Sequence, residues 1–176
     1  MTRPDKNSVS LAGEFAVLSQ LALRNFNASL TLGNTKGVDI LVSDPNKKMY
    51  RLEVKTTRQR GKKDFKESKI FGTFLDKWIM NEKHERIVDP LLFYCFVLIL
   101  ERGKEKRFRF FILPSGIVAK YVKEEHRHWR EANRKEGNRV KGTEMRTFRM
   151  GLNSEAYDLA PPLDDAYEDN WKFSAV

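Results

Sequence analysis

The chain has 176 residues, a single cysteine and a formal net charge of +9. This length suits one domain, and the lone Cys95 excludes an internal disulfide. The start of the chain, Met1–Lys6, has no signal peptide, and the longest apolar stretch, Leu91–Leu100, is about half the length of a membrane span, so we expect a cytoplasmic protein without membrane contact.

Apolar residues near the start of the chain recur at helical spacing and predict a first helix from about Ser10 to Asn25. The predicted buried stripe consists of Leu11, Phe15, Leu18, Ala22 and Phe26. Glu14 lies at the border of this stripe, a position from which an acid can lean into a site under the helix. The alternative is that Glu14 only favours the positive N-terminal end of the helix.

Two short apolar segments, Gly37–Val42 and Tyr50–Lys55, are predicted as neighbouring strands. The residues between them, Asp44–Lys47, carry turn chemistry and predict a hairpin centred near Asn46. A hairpin with this centre fixes which side chains lie opposite each other across the two strands.

This hairpin brings two acids and a lysine together. Asp39 lies opposite Glu53, and Lys55 shares the face of Glu53 because side chains two apart on a strand point the same way. Charges taken out of water must be paired, hydrogen-bonded or metal-bound. Two carboxylates and one amine are the minimal set for a divalent cation and an activated water, and Thr57 lies on the same face. The alternative is a surface network of ion pairs on an edge hairpin.

The rest of the chain predicts a mixed sheet covered by helices. In chain order, the patterns predict a helix at Phe71–Ile79, strands at Leu91–Leu100 and Arg107–Leu113, a helix from Ser115, a basic loop at 133–147 and an acidic tail at 151–176. We therefore expect an α/β fold, with a mixed central sheet flanked by helices, in one domain (1–176) whose core spans about residues 10–132.

Basic residues are concentrated around the two acids. Between Lys47 and Lys69 there are ten Lys or Arg residues and three Asp or Glu, and between Glu101 and Arg149 there are fifteen and seven. Residues 151–176 carry six acids and one lysine. Basic segments are usually solvated surface, but an excess beside buried-type acids favours the binding of phosphates.

The pattern acid-x-Lys occurs three times, at Glu53–Lys55, Asp64–Lys66 and Glu67–Lys69. Only the first has apolar neighbours, an aspartate in the preceding strand and a helix with Glu14 before that. In this setting residues 14–57 resemble the PD-(D/E)xK, or restriction-endonuclease-like, nuclease superfamily. Within it, the pattern is similar to Holliday-junction resolvases and to small endonucleases associated with mobile introns.

The resemblance implies a magnesium-dependent endonuclease that hydrolyses phosphodiester bonds in DNA. Asp39 and Glu53 would ligate Mg²⁺, or Mn²⁺ in its place, together with the backbone carbonyl of Val54. Lys55 would position the attacking water and help to deprotonate it, and Glu14 would hold a second ion or a metal-bound water. The residues that would bind backbone phosphates are Arg58, Arg60, Lys62, Lys63, Lys66 and Lys69.

Val38 stands where the family often has proline, a departure that leaves the aspartate in place. The alternative function is a non-catalytic nucleic-acid-binding module on the same fold, and the complete acid set argues against it. The sequence has no phosphate-binding glycine-rich loop, so we expect no nucleotide cofactor, and it is compatible with a homodimer. His84 lies near a predicted helix end, where a capping role is sufficient.

Overall fold

A computed structural model of the chain describes residues 4–31, 37–61, 64–140, 142–152 and 164–173. These residues form an α/β fold in which a mixed central sheet is flanked by helices, as predicted. None of the helices in this part of the chain has the length and hydropathy of a membrane span.

The fold has three α-helices, a short 3-10 helix and nine strands within the described residues. The helices are α1 (Lys6–Ala22), α2 (Ser115–Lys135), α3 (Asp164–Tyr167) and the 3-10 helix (Glu82–Glu85). The strands are β1 (Asn27–Leu30), β2 (Ile40–Ser43), β3 (Met49–Arg60), β4 (Lys66–Ser68), β5 (Gly72–Phe74), β6 (Asp76–Asn81), β7 (Leu92–Arg102), β8 (Glu105–Pro114) and β9 (Met145–Met150).

The central sheet has the strand order β1-β2-β3-β7-β8. β3 and β7 run parallel, in a register that pairs Glu53 with Tyr94, and the other neighbouring strands are antiparallel. Parallel strands need a long crossover, and here β4, β5, β6 and the 3-10 helix supply it. The two hairpins, β2–β3 and β7–β8, follow the sequence prediction, but β3 and β8 are longer than the strands predicted at Tyr50–Lys55 and Arg107–Leu113.

The helix α1 packs on one face of this sheet, but of the predicted stripe only Leu18 and, beyond the helix end, Phe26 pack against the core. Phe15 is 55% exposed, and the fully buried positions of the helix are Gly13, Val17 and Leu21. The reason lies at Gly13, where a Cβ atom would stand 1.9 Å from the Oγ1 of Thr56 in β3. The helix therefore approaches the sheet closest at its glycine, and this contact selects the buried face.

The prediction of a helix at Phe71–Ile79 is wrong. This segment contains β5 and most of β6, and burial alternates residue by residue from Asp76 to Met80. The partner of β6 is β9, in a register that pairs Trp78 with Phe148, and this two-stranded sheet packs with α2 over the second face of the central sheet. The spacing of the aromatic residues fits a strand as well as a helix. The strand that decides between the two, β9, is distant in sequence.

The end of the chain differs from the predicted loop and tail. The helix α2 begins at Ser115, as predicted, but both ends of the loop predicted at 133–147 belong to α2 and β9. Farther on, Trp171 and Phe173 are buried in the core under α1. Part of the acidic tail is therefore packed against the domain.

Candidate active site

The β2–β3 hairpin has the predicted register. Ile40 pairs with Leu52, so the hairpin is centred on residue 46, and Asp39 directly precedes β2. The N–H of Asp39 donates to the carbonyl of Leu52 at 2.8 Å. Ile40 and Leu52 are buried on the reverse face, as the alternation predicts.

Asp39 is half-buried just before the start of β2, and its Oδ2 accepts a hydrogen bond from the N–H of Val54 at 2.7 Å. Backbone N–H groups point along the sheet, so this carboxylate lies close to the plane of the sheet beside β3. Burial raises the pKa of Asp39, the Val54 hydrogen bond and the charge of Lys55 oppose the rise, and the charge of Glu53 adds to it. The two predicted metal ligands are therefore close enough to repel each other.

Glu53 is 3% exposed, and its two carboxylate oxygens have different surroundings. Oε1 lies 2.6 Å from Nζ of Lys55 and 3.2 Å from Nε2 of His84, whereas the buried Oε2 has no hydrogen-bond partner. Burial acts to raise the pKa of Glu53, but the hydrogen bond from His84 and the charge of Lys55 outweigh it and lower the pKa to about 2. Glu53 is therefore an anion with one unused, buried oxygen.

His84 is buried and contacts Oε1 of Glu53 in the interior of the protein. The N–H of Asn81 donates to Nδ1 of His84 at 2.9 Å as part of a capping box. His84 therefore caps the start of the 3-10 helix, and not the end of the predicted helix, which does not form. Tyr94 packs edge-on against the histidine ring, with centroids 5.9 Å apart. Burial raises the pKa of Tyr94, and the charge of Glu53 and a side-chain hydrogen bond to its carboxylate raise the pKa further. The acid is thus enclosed by two aromatic rings.

Glu14 belongs to α1, which packs on the face of the sheet opposite Glu53. Burial raises the pKa of Glu14, and the charge of Asp39 adds to the rise, so the helix brings this acid near the start of β2. In the described residues, no three His, Cys, Asp or Glu side chains form a group that could hold a metal ion. Glu14, Asp39 and Glu53, which were predicted to share metal ions, therefore do not form such a group.

Three of the residues predicted to bind phosphates are paired with acids of the same chain. Nη1 of Arg58 lies 3.2 Å from Oε1 of Glu101, and Nε of Arg60 lies 2.7 Å from Oε2 of the same carboxylate. Lys66 forms an ion pair with the buried Asp76. A cation that already has an acidic partner has less charge to offer a phosphate.

The other three residues of that predicted group are Lys62, Lys63 and Lys69. Lys69 is exposed and forms no ion pair with a described residue. Lys62 and Lys63 lie outside the described residues. Their role in binding phosphates stays a prediction.

An open cleft of about 890 Å³ lies beside Lys55, between the start of α1 and β6. Lys55 and Thr57 line it from β3, while Lys6 and Lys77 line it from α1 and β6. Both Lys6 and Lys77 are exposed, and neither forms an ion pair with a residue that the structure describes. The cleft therefore offers cations from two elements near the candidate site.

His84, Tyr94 and Lys83 belong to the site, and sequence reasoning did not place them there. Lys83 contributes through its charge, which lowers the pKa of Asp39. These residues reach the hairpin only through the parallel pairing of β3 with β7, which the sequence does not reveal. The one signal in the sequence was the capping box that begins at Asn81, and it fixes the histidine ring without showing what the second ring nitrogen contacts.

Known proteins resemble this chain in structure but not detectably in sequence. No protein-family model matches the sequence, and no curated protein matches it. Among solved structures, the chain is similar to a bacterial homing endonuclease, I-Ssp6803I, with 11% sequence identity and a TM-score of 0.49, over 96% of this chain and 91% of that chain. A similarity at this level does not transfer a function or a set of catalytic residues. The function is therefore inferred from the site itself.

Proposed function

We propose that the protein is a magnesium-dependent endonuclease that hydrolyses phosphodiester bonds in DNA. The observation that carries the proposal is the buried Oε2 of Glu53, which has no partner and belongs to an acid close to Asp39. Lys55 contacts the other oxygen of this acid, Oε1, and also lines an open cleft together with Lys6 and Lys77. The sequence resemblance to the PD-(D/E)xK nucleases supports the same assignment through the same residues.

The oxygen donors at this point fit a magnesium ion. Oε2 of Glu53 has no partner, and the bond to Val54 leaves Oδ1 of Asp39 unused. The carbonyl of Val54 points to the same side as its N–H, because the two groups of a strand residue share a direction. Magnesium binds through one or two carboxylates and keeps several waters, so these three donors are sufficient. Mn²⁺ accepts the same oxygen ligands and would substitute.

Each acidic or basic side chain has a separate task in the proposed reaction. A bound magnesium ion would stabilise negative charge on the phosphate and increase the acidity of water. Asp39 and Glu53 would hold the ion, and Lys55 would orient the water that attacks phosphorus. Since Nζ of Lys55 donates to Oε1 of Glu53 in the structure, this lysine has to turn toward the substrate. Glu14 would order water on the other side of Asp39.

The substrate would enter along the cleft beside Lys55. Phosphate contacts from Lys6 and Lys77 would position the backbone on either side of the scissile bond, since contacts of this kind fix register without selecting a base. Lys62, Lys63 and Lys69 would extend this surface. Arg58, Arg60 and Lys66 would contribute after release from their acidic partners.

A panel of labelled substrates tests the proposal. Purified protein is incubated with duplex, nicked, branched and single-stranded DNA, and with RNA, in Mg²⁺, Mn²⁺, Ca²⁺ or EDTA. We expect cleavage of a DNA substrate in Mg²⁺ or Mn²⁺ and none in EDTA. Calcium should support binding with little cleavage, because its looser coordination positions water poorly.

The matched control is Asp39→Asn prepared in the same way, which excludes a contaminating nuclease. Undiminished cleavage in EDTA, or by this variant, would refute the metal mechanism. Binding of DNA without cleavage under any of these conditions would favour the non-catalytic nucleic-acid-binding module instead.

A further inference from the structure

His84 is fixed in one orientation before it meets Glu53. The ring is 3% exposed, and its Nδ1 lies 2.9 Å from the N–H of Asn81 and 2.8 Å from the carbonyl of the same residue. The 3-10 helix that carries His84 is itself capped, since Oδ1 of Asn81 accepts from the N–H of Lys83 at 3.1 Å. The two groups of Asn81 that Nδ1 contacts both belong to the backbone, so the ring cannot turn without breaking these contacts.

This orientation determines what Nε2 does. Its neighbour at 3.2 Å is Oε1 of Glu53, a carboxylate oxygen that can only accept. Nε2 must therefore carry a proton, whether Nδ1 accepts from Asn81 or donates to it. The ring of Tyr94 closes the same side of the acid, so this hydrogen bond is sheltered from water.

The two donors on Glu53 meet the same oxygen. Lys55 and His84 both reach Oε1, and Oε2 is left buried without a partner. Oε2 faces the segment that leads to Asp39, because it lies 3.5 Å from the position of a Cβ on Gly37. A buried anionic oxygen without a partner destabilises the folded protein unless a cation or a hydrogen-bond donor contacts it. The direction of Oε2 is set by the groups that contact Oε1.

We propose that His84 is a positioning residue that, by donating Nε2–H to Oε1 of Glu53, keeps Oε2 directed at the cation shared with Asp39. The inference rests on the proposed function and names a residue that acts through Glu53. When Lys55 turns to the substrate, the hydrogen bond from Nε2 of His84 to Oε1 remains. Such outer partners of a ligand affect metal affinity by about 10- to 100-fold.

Mn²⁺ binding without DNA, measured by electron paramagnetic resonance, tests this inference. His84→Asn keeps an acceptor for the N–H of Asn81 but is too short to reach Glu53, and we expect about tenfold weaker binding. His84→Gln places an amide N–H near the position of Nε2 and should restore affinity to within a few-fold of the parent. Asn81→Ala is the matched control, since it removes the Asn81 side-chain cap but leaves Nε2, and it should lower thermal stability with unchanged Mn²⁺ affinity.

The outcomes separate the inference from the proposed function. Equal Mn²⁺ binding by His84→Asn and the parent, or equal weakening in His84→Asn, His84→Gln and Asn81→Ala, would overturn the positioning role. Absence of Mn²⁺ binding by the parent would overturn the metal site itself, and the inference with it. If His84→Asn does not fold, ¹⁵N spectra of the parent decide: we expect a protonated Nε2 whose signal shifts as Mg²⁺ is added, and an unprotonated Nε2 would refute the proposal.

Discussion

At Lys55, one ammonium group both neutralises a buried acid and faces an open cleft. Replacing it by alanine should reduce cleavage by roughly 10²-fold or more, the range of a lost general acid–base or water-orienting group. DNA affinity should change little. Mn²⁺ affinity should stay equal or increase, because Glu53 loses its positive neighbour. Single-turnover cleavage and a binding titration measure the two effects.

The control for this variant is Lys69→Ala, which changes the lysine of another acid-x-Lys pattern at an exposed position. DNA that it has bound should be cleaved at the parent's single-turnover rate, because Lys69 is proposed to contact a backbone phosphate and not the attacking water. Full activity in Lys55→Ala would show that the site has been assigned to the wrong residues.

Asp39 should destabilise the folded protein when it is ionised. Its folded-state pKa is raised by burial and by Glu53, so its charged form is disfavoured by folding. Asp39→Asn, which still accepts from the N–H of Val54, should therefore be more stable than the parent at neutral pH. This advantage should shrink as the pH falls toward 3.8 and below, where the parent's aspartate is protonated in the unfolded state as well. Urea unfolding at several pH values measures it.

Magnesium should reverse the order of stability of the parent and Asp39→Asn, because an ion that binds only the folded state stabilises it. The parent should gain stability in Mg²⁺, and Asp39→Asn should not. Glu67→Gln, at an exposed position, is the control for the change in charge. If Asp39→Asn is less stable than the parent at neutral pH without metal, then ionised Asp39 does not destabilise the folded protein, and this prediction is wrong.

Sequence predicted the residues of the site whose relation is local. Asp39, Glu53 and Lys55 come together through strand alternation and one turn, both of which depend on a few neighbouring residues. His84 contacts Glu53 across 31 positions of sequence, through a crossover whose path depends on the whole core. The local cap of His84 was accessible to sequence reasoning, and its second contact was not.

The placement of α1 depends on the absence of one methyl group. Gly13→Ala would put a Cβ 1.9 Å from Oγ1 of Thr56, so the helix must move away from β3. Overpacking of this kind costs about 1–3 kcal/mol of unfolding free energy. The same movement would carry the adjacent Glu14 away from Asp39. Chemical denaturation measures the loss of stability.

A second substitution tests the cause. Thr56→Ala removes Oγ1 and Cγ2, two of the atoms that the new Cβ would meet, and leaves the Cβ of residue 56 at 3.0 Å. The double variant should recover a large part of the stability lost in Gly13→Ala. Additive losses in the double variant would mean that this contact does not position the helix.

The error at Phe71–Ile79 shows where element prediction failed. Large apolar side chains in this segment have helical spacing, yet the buried face of β6 includes Asp76, whose carboxylate pairs with Lys66. A pattern that counts only apolar residues does not identify a buried acid in a strand. The pairing of β6 with β9 then overrides the local preference.

Across the whole molecule, ion pairs divert much of the basic charge from the surface. Glu101 pairs with both Arg58 and Arg60, and Arg109 is held by both carboxylate oxygens of Glu168 near the end of the described chain. The 33 Lys and Arg residues of the chain therefore overstate the cations that can meet a polyanion. Lys6 and Lys77, which line the cleft beside Lys55, remain exposed.

Salt dependence should locate the binding surface. Changing both Lys6 and Lys77 to glutamine should lower the slope of log K against log salt by about 0.9 for each phosphate of duplex DNA that the protein no longer neutralises. Arg60→Gln, which removes a cation already paired with Glu101, should change the slope less. Binding is measured in Ca²⁺ at several salt concentrations. An unchanged slope in the double variant would place the binding surface elsewhere.

The central claim is that Glu53, and not an acid in a similar local sequence, makes the chain a nuclease. The most direct measurement compares the Mg²⁺-dependent cleavage rates of Glu53→Gln and Glu67→Gln, since each acid stands two residues before a lysine. We predict that Glu53→Gln loses metal-dependent cleavage while remaining folded, and that Glu67→Gln cleaves like the parent. Parent-like cleavage by Glu53→Gln would contradict the account.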